Sequence, residues 1–155
     1  MRFQLTILTA VRSNETGFAV WDEFDLNKDI WTIPGARMKM KEPHVGPLSA
    51  PALRLLSRLK RKHDGADTFI FSANEGQPIS DMPMTKARRD MKIEGYTVHG
   101  FRSSFTDWAA EKTDVAKEIV DKALAHKLPN RVEAAYRRTD FFEKQRDAGR
   151  MIYEG

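Results

Sequence analysis

One stretch interrupts a chain whose apolar residues otherwise recur at helical spacing. Residues 30–49, "IWTIPGARMKMKEPHVGPLS", open with the β-favouring run Ile30, Trp31, Thr32 and Ile33, turn at Pro34-Gly35, and continue as an extended segment. This composition predicts a hairpin or small meander within residues 20–47. Before it, "MRFQLTILTA" reads as the end of an apolar helix. After it, Ser49 is placed to cap a helix with Pro51 in its first turn, and Leu53, Leu55, Leu56 and Leu59 follow at helical spacing.

"TFIF" at 68–71 is a short buried run, strand or turn, and Met84–Ile93 is helical again until Gly95 ends it. From His99 onward nearly everything reads as helix. Phe101, Phe105 and Trp108 stand at i, i+4 and i+7, and Asp114 starts a further helix reaching about His126. Pro129 forces a break, and the segments holding Tyr136 and Phe141 follow. The expected fold class is therefore mainly α with a small antiparallel β-sheet, an α+β domain.

Length and composition narrow the function. The 155 residues fit one domain with a single substantial core, and a hydrophobic fraction of 41% is that of an ordinary globule. Cysteine is absent, which removes disulfides, thiolate metal sites and a cysteine nucleophile. No apolar run approaches the roughly 20 residues of a membrane span, and the N-terminus lacks a small-residue cleavage site. The formal charge of +4 suits a polyanionic partner.

Several polar residues stand out, and each alone has an ordinary structural explanation. Arg12 follows the first apolar helix with Glu15 three residues on, which would make a surface ion pair. In the hairpin Lys39 and Lys41 are expected on one side of an extended strand, as edge lysines that discourage aggregation are. His99 and Arg102 share a face at a helix start, where free N–H groups favour an anion. His126 sits near a helix end, as a local cap would. Tyr136 lies in "VEAAYRR", where an amphipathic anchor is common.

Their order is what a set of unrelated surface residues would not reproduce. Arg12, Lys39, His99, Arg102, His126 and Tyr136 run as R…K…H-x-x-R…H…Y, with "HGFRSSFTDWAAE" around the second arginine, "LAH" at the third basic group and "VEAAYRR" at the tyrosine. From about residue 5 to 145 this pattern resembles the catalytic domain of the tyrosine recombinases, the phage integrase family, in its prophage and genomic-island form.

The resemblance implies the tyrosine recombinase catalytic-domain fold over residues 1–155, with the family's N-terminal DNA-binding domains absent from this chain. It implies a site-specific recombinase that cleaves and rejoins double-stranded DNA. In that chemistry Tyr136 attacks the phosphodiester and forms a 3′-phosphotyrosine, which splits one hard step into two. Arg12 and Arg102 donate forked hydrogen bonds to the non-bridging oxygens, and Glu15 orients Arg12. Lys39 is the expected general acid for the departing 5′ oxygen, His99 assists proton transfer, and His126 hydrogen-bonds the phosphate.

No cofactor and no metal enter this scheme, because protein cations neutralise the charge. The partners implied are duplex DNA and further recombinase protomers, with no membrane, in the bacterial cytoplasm at the nucleoid. Phe141 and Phe142 either dock on a neighbouring protomer or pack on their own domain. Gly46, where the family usually has an apolar residue, is expected to weaken the strand after Lys39. Two alternatives remain: an inert DNA-binding remnant of an integrase, and a type IB topoisomerase-like enzyme.

Overall fold

The computed structural model describes residues 1–62, 68–72, 76–79, 82, 86, 89–91, 97, 100–126, 143, 144, 146 and 147. The apolar N-terminal run forms helix α1 (Arg2–Thr9), which buries Phe3 and Leu5. It ends at Ala10, whose φ of 51° is left-handed and turns the chain into the short helix α2 (Ser13–Gly17). Thr6 on α1 and Thr16 on α2 share a buried hydroxyl hydrogen bond of 2.8 Å, so the two helices are fixed against each other by polar as well as apolar contact.

The β element is a three-stranded antiparallel sheet in the order β1 (Phe24–Asp25), β2 (Ile30–Ile33), β3 (His44–Pro47). Alternation sets its faces: Trp31 and Ile33 point into the core while Thr32 is exposed. The register pairs Ile33 with His44 and Trp31 with Gly46, so β3 stays paired straight through its glycine. Phe24 stacks on Trp31 with ring centroids 4.8 Å apart, a cross-strand aromatic pair on one face.

The segment joining β2 to β3 departs from the extended strand expected for the two lysines. Gly35–Arg37 form a 3-10 turn, Met38 is buried, and the amide of Lys41 donates to the carbonyl of Met38 at 3.1 Å. Lys41 itself is left-handed, with φ of 59°. The cause is local: Pro34-Gly35 starts a turn, and a Cβ at Gly35 would lie 2.6 Å from the carbonyl oxygen of Lys41, a closeness only glycine permits. Lys39 therefore sits on an exposed turn and does not share a strand face with Lys41.

Helix α3 (Ala50–Lys60) follows Ser49 and carries Pro51 in its first turn, burying Ala52, Leu55 and Leu56. Ser49 precedes the helix as expected, but its hydroxyl is buried and makes no capping bond among the described residues. The "TFIF" run contributes buried Ile70 and Phe71 to the core, pairs through an antiparallel bridge of Phe69 with Val20, and sets Phe69 edge-on to Phe18.

Helix α4 (Gly100–Lys112) leans on α1 through an edge-to-face contact of Phe101 with Phe3 at 5.4 Å. Helix α5 spans Lys117–Ala123, three residues later at its start than Asp114 would have it. Thr113 accounts for the delay. Its hydroxyl donates back to the carbonyl of Ala109 at 2.7 Å and accepts from the amide of Val115 at 3.3 Å, closing α4 before the chain can turn helical again.

Two apolar clusters result. The larger joins α1, the sheet and α3 around Leu5, Trp31, Ile33 and Leu56; the smaller joins α4 and α5 around Ala109, Val120 and Leu124. They meet at the end of α1, where Ala10 belongs to the smaller cluster and Val11 to the larger. Among the described residues no helix is long and apolar enough to cross a membrane.

Candidate active site

The seam between the two clusters is where the expected cations gather. Arg12 follows Val11 directly. Its guanidinium pairs with Glu15 at 3.1 Å, and the other oxygen of that carboxylate accepts from the backbone N–H of Arg12 at 2.6 Å. Glu15 is 4% exposed and Arg12 29%, so a buried carboxylate holds an arginine that still faces outward. A second tie runs from the hairpin. Arg37 donates to the backbone carbonyl of Glu15 and to the buried carboxylate of Glu23, which also accepts from the indole N–H of Trp31 at 3.0 Å. The turn carrying Lys39 is thereby tethered to the helix carrying Glu15.

Arg102 arrives from the opposite cluster, ninety residues later. It is 6% exposed, donating through one terminal nitrogen to the carbonyl of Ala10 and through the other to the carbonyl of Leu124 at 2.7 Å. Each acceptor closes a helix, α1 and α5, whose last carbonyls have no partner within the helix. Arg102 thus clamps both helix ends, and a guanidinium with five N–H donors keeps three for another acceptor. Its pKa is lowered from 12.5 to about 10, mainly by burial and then by the charge of Arg12, with Glu15 opposing. Two guanidiniums held within electrostatic reach of each other are unfavourable alone and become favourable around an anion.

The same ground holds two groups the sequence pattern did not single out. His44, at the start of β3, is 6% exposed. Burial pushes its pKa down from 6.5 to about 4; Glu15 opposes this, while Lys122, Arg102 and Arg12 add to it. A signal for His44 was available. In "HVGPL" positions 44, 46 and 48 fall on one strand face and Leu48 is buried there, so a histidine on that face is a polar residue pointed at the core. For Lys122 on α5 no comparable signal exists, since a lysine in the last turn of a helix is ordinary.

His126 lies just past α5, 44% exposed, with its Nδ1 3.1 Å from a carboxylate oxygen of Asp121 and its amide bonded to the Asp121 carbonyl. It belongs to the wall of a cavity of about 120 Å³ between the hairpin turn and the end of α5, together with Met38, Glu42, His44 and Lys122. Lys39 is exposed on the turn of that same hairpin. The structure thus brings Arg12, Glu15 and Arg102 together and puts His126 beside the cavity that His44 lines. His99 and Tyr136 lie outside the described residues. So do Phe141 and Phe142. Among the described residues no group of three histidine or carboxylate side chains is placed to hold a metal ion.

Known proteins resemble this chain in sequence and in fold. Residues 1–143 match the model of the phage integrase family. The chain is 36% identical over 147 residues to Prophage integrase IntA of Escherichia coli K12, covering 93% of this chain and 35% of that protein. It is 35% identical over 150 residues to the Integrase of Enterobacteria phage P4, covering 86% of this chain and 34% of that one. The chain therefore spans about a third of the length of these relatives.

Among solved structures, the crystal structure of XerA recombinase aligns with a TM-score of 0.65 over 98% of this chain and 57% of that chain, at 15% identity. A lambda integrase tetramer bound to a Holliday junction aligns with a TM-score of 0.57 over 90% of this chain and 42% of that one, at 18% identity. The fold is that of a tyrosine recombinase catalytic domain. With a family match over nearly the whole chain, and with its two arginines joined at one seam of that fold, the protein belongs to the phage integrase family of tyrosine recombinases.

Proposed function

We propose that this chain is the catalytic domain of a site-specific DNA recombinase that cleaves and rejoins duplex DNA through a 3′-phosphotyrosine on Tyr136. The observation that carries the reading is the convergence of Arg12 and Arg102 from opposite apolar clusters, with Glu15 buried beneath Arg12. A phosphodiester passing to a pentacoordinate phosphorane gains negative charge on its non-bridging oxygens. Planar donors fixed in advance of that charge stabilise it without reorganising.

In this scheme Tyr136 attacks phosphorus and the bond to the 5′ oxygen breaks. Lys39 gives that oxygen its proton, with His99 assisting at the tyrosine and His126 donating to the phosphate. Rejoining runs the same steps in reverse, with the 5′ hydroxyl as nucleophile. Duplex DNA is the substrate, and further protomers supply the strands to be exchanged. Support for these partners comes from the likeness to recombinases solved on DNA, the lambda integrase tetramer on a Holliday junction among them. The family match favours this reading over a type IB topoisomerase-like enzyme and over an inert remnant.

The test is a nicked suicide substrate, whose short 5′ fragment diffuses away after cleavage and traps the covalent adduct. In a full-length integrase background this catalytic domain should give a protein–DNA band that survives SDS. Arg12→Ala should reduce the rate of its appearance by about 10²–10³-fold, the usual effect of removing one preorganised donor. A full-length protein that binds its site and forms no adduct would overturn the proposal.

A further inference from the structure

Resting on the reading of Lys39 as the general acid, we propose that Arg37 is the residue that positions it: its guanidinium bolts the lysine-bearing turn to the residue that holds Arg12. The lysine has no anchor of its own. Among the described residues its side chain has no hydrogen-bond or ion-pair partner, and it stands exposed on the turn. Its place against the phosphate is therefore set by the backbone that carries it. The pairing of Ile33 with His44 closes the base of the turn. Its own hydrogen bonds, from the amides of Arg37 to Pro34, Met38 to Gly35 and Lys41 to Met38, are internal. They fix its shape and leave its placement open. Met38 sinks into the core beside Lys39, but apolar contact is not directional.

Arg37 supplies the direction. One terminal nitrogen donates to the buried carboxylate of Glu23, on the 3-10 segment Trp21–Glu23, and the other to the backbone carbonyl of Glu15 on α2. Glu23 is itself fixed, since its second oxygen accepts from the indole N–H of Trp31 on β2 at 3.0 Å. The Glu15 carbonyl is open to Arg37 because α2 is short. The Ala19 amide, which a longer helix would aim at that carbonyl, goes to Thr16 instead at 3.3 Å. The Glu15 carboxylate meanwhile holds both the guanidinium and the backbone N–H of Arg12. The turn of the general acid and the arginine that meets the non-bridging oxygens are thus registered on one residue, Glu15. A planar fork reaching two acceptors fixes orientation as well as distance, which a single ammonium does not. As Tyr136 attacks and the bond from phosphorus to the 5′ oxygen breaks, the proton from Lys39 has to arrive at that oxygen. A misplacement of about 1 Å can cost on the order of 10²-fold in such a step.

The experiment compares two suicide substrates in the full-length integrase background. One has the ordinary 5′ oxygen at the cleaved bond, and the other a 5′-bridging sulfur, which leaves as a thiolate and needs no proton. The ratio of sulfur to oxygen cleavage rates on one preparation cancels the amount of folded protein. A purely structural defect therefore leaves that ratio at its wild-type value. Arg37→Lys keeps a cation for the buried Glu23 and loses the fork, while Arg37→Met removes every donor. Both should lose about 10–100-fold on the oxygen substrate and raise the ratio by the same factor, in the direction of Lys39→Ala. A wild-type ratio in either variant, whether its two rates fall together or not at all, would overturn the inference. Rescue of Lys39→Ala in that case leaves the general acid standing. A Lys39→Ala that the sulfur substrate does not rescue would overturn the reading of Lys39 and the inference with it.

Discussion

Arg102 is both a fold residue and a site residue, and Arg102→Met separates the two roles. Methionine keeps roughly the apolar stem of the side chain and removes every donor. The carbonyls of Ala10 and Leu124 each lose a charge-assisted hydrogen bond at a helix end. Such bonds are worth about 1.5–3 kcal/mol apiece, so the gross loss is about 3–6 kcal/mol. An opposing effect comes from the cation itself. Burial and the nearby Arg12 lower its pKa from 12.5 to about 10, an environment that disfavours the charge by roughly 3 kcal/mol.

The net expectation is a destabilisation of up to about 3 kcal/mol for Arg102→Met. Arg12→Met should cost less, under about 1 kcal/mol, because Arg12 is partly exposed and its pairing with Glu15 is a single side-chain contact. Each single change relieves the repulsion between the two guanidiniums, and the double variant relieves it only once, so it should lose more than the sum of the two singles. Urea unfolding followed by far-UV circular dichroism measures all three. The reasoning fails if Arg102→Met stabilises the protein, or if the double variant loses less than the sum of the two singles.

Three further expectations follow from named contacts. His44 is buried and neutral in the native state and charges on unfolding. Between its ordinary pKa of 6.5 and its folded value of about 4 the unfolded chain therefore binds the extra proton, and stability falls as pH falls through that window. The loss should approach about 3 kcal/mol by pH 4, and His44→Gln should flatten this part of the stability–pH curve. Glu23→Ala strips the buried acceptor from Trp31 and Arg37 together, and should cost about 2–4 kcal/mol in the same urea assay. For the general acid, a substrate with a 5′-bridging phosphorothiolate has a leaving group that needs no protonation. It should restore cleavage to Lys39→Ala, and rescue of Lys41→Ala instead would reassign the role.

Much of this was legible in the residues. The apolar spacing of α1, α3 and α4 and the β-favouring run at 30–33 placed those elements, because one-sided burial imposes its period on the sequence. Where a side chain competed with that period the reading slipped. Thr113 captured Val115's amide and delayed α5, which a pattern of apolar positions does not register. Strand alternation carried past Pro34-Gly35 predicts an extended segment at Lys39 and Lys41, but the bend that those two residues start ends the alternation there. The two arginines were legible only through the ordered pattern of the whole family. What joins them, two helix-end carbonyls and a buried glutamate, is tertiary geometry with no trace in local spacing. His44 stands on an inward strand face, but the ordered R…K…H-x-x-R…H…Y pattern does not include it. The roles of His99 and Tyr136 rest on their place in the sequence pattern.

Peptide mapping of the trapped adduct bears most directly on this chemistry. After cleavage of a suicide substrate in the full-length background, nuclease and protease digestion followed by mass spectrometry should find the nucleotide remnant on the peptide containing Tyr136, joined through a 3′-phosphotyrosine. Tyr136→Phe should yield no adduct. A remnant on Tyr96, Tyr153 or any other side chain, or an undiminished adduct from Tyr136→Phe, would contradict the assignment of this seam as a tyrosine recombinase active site.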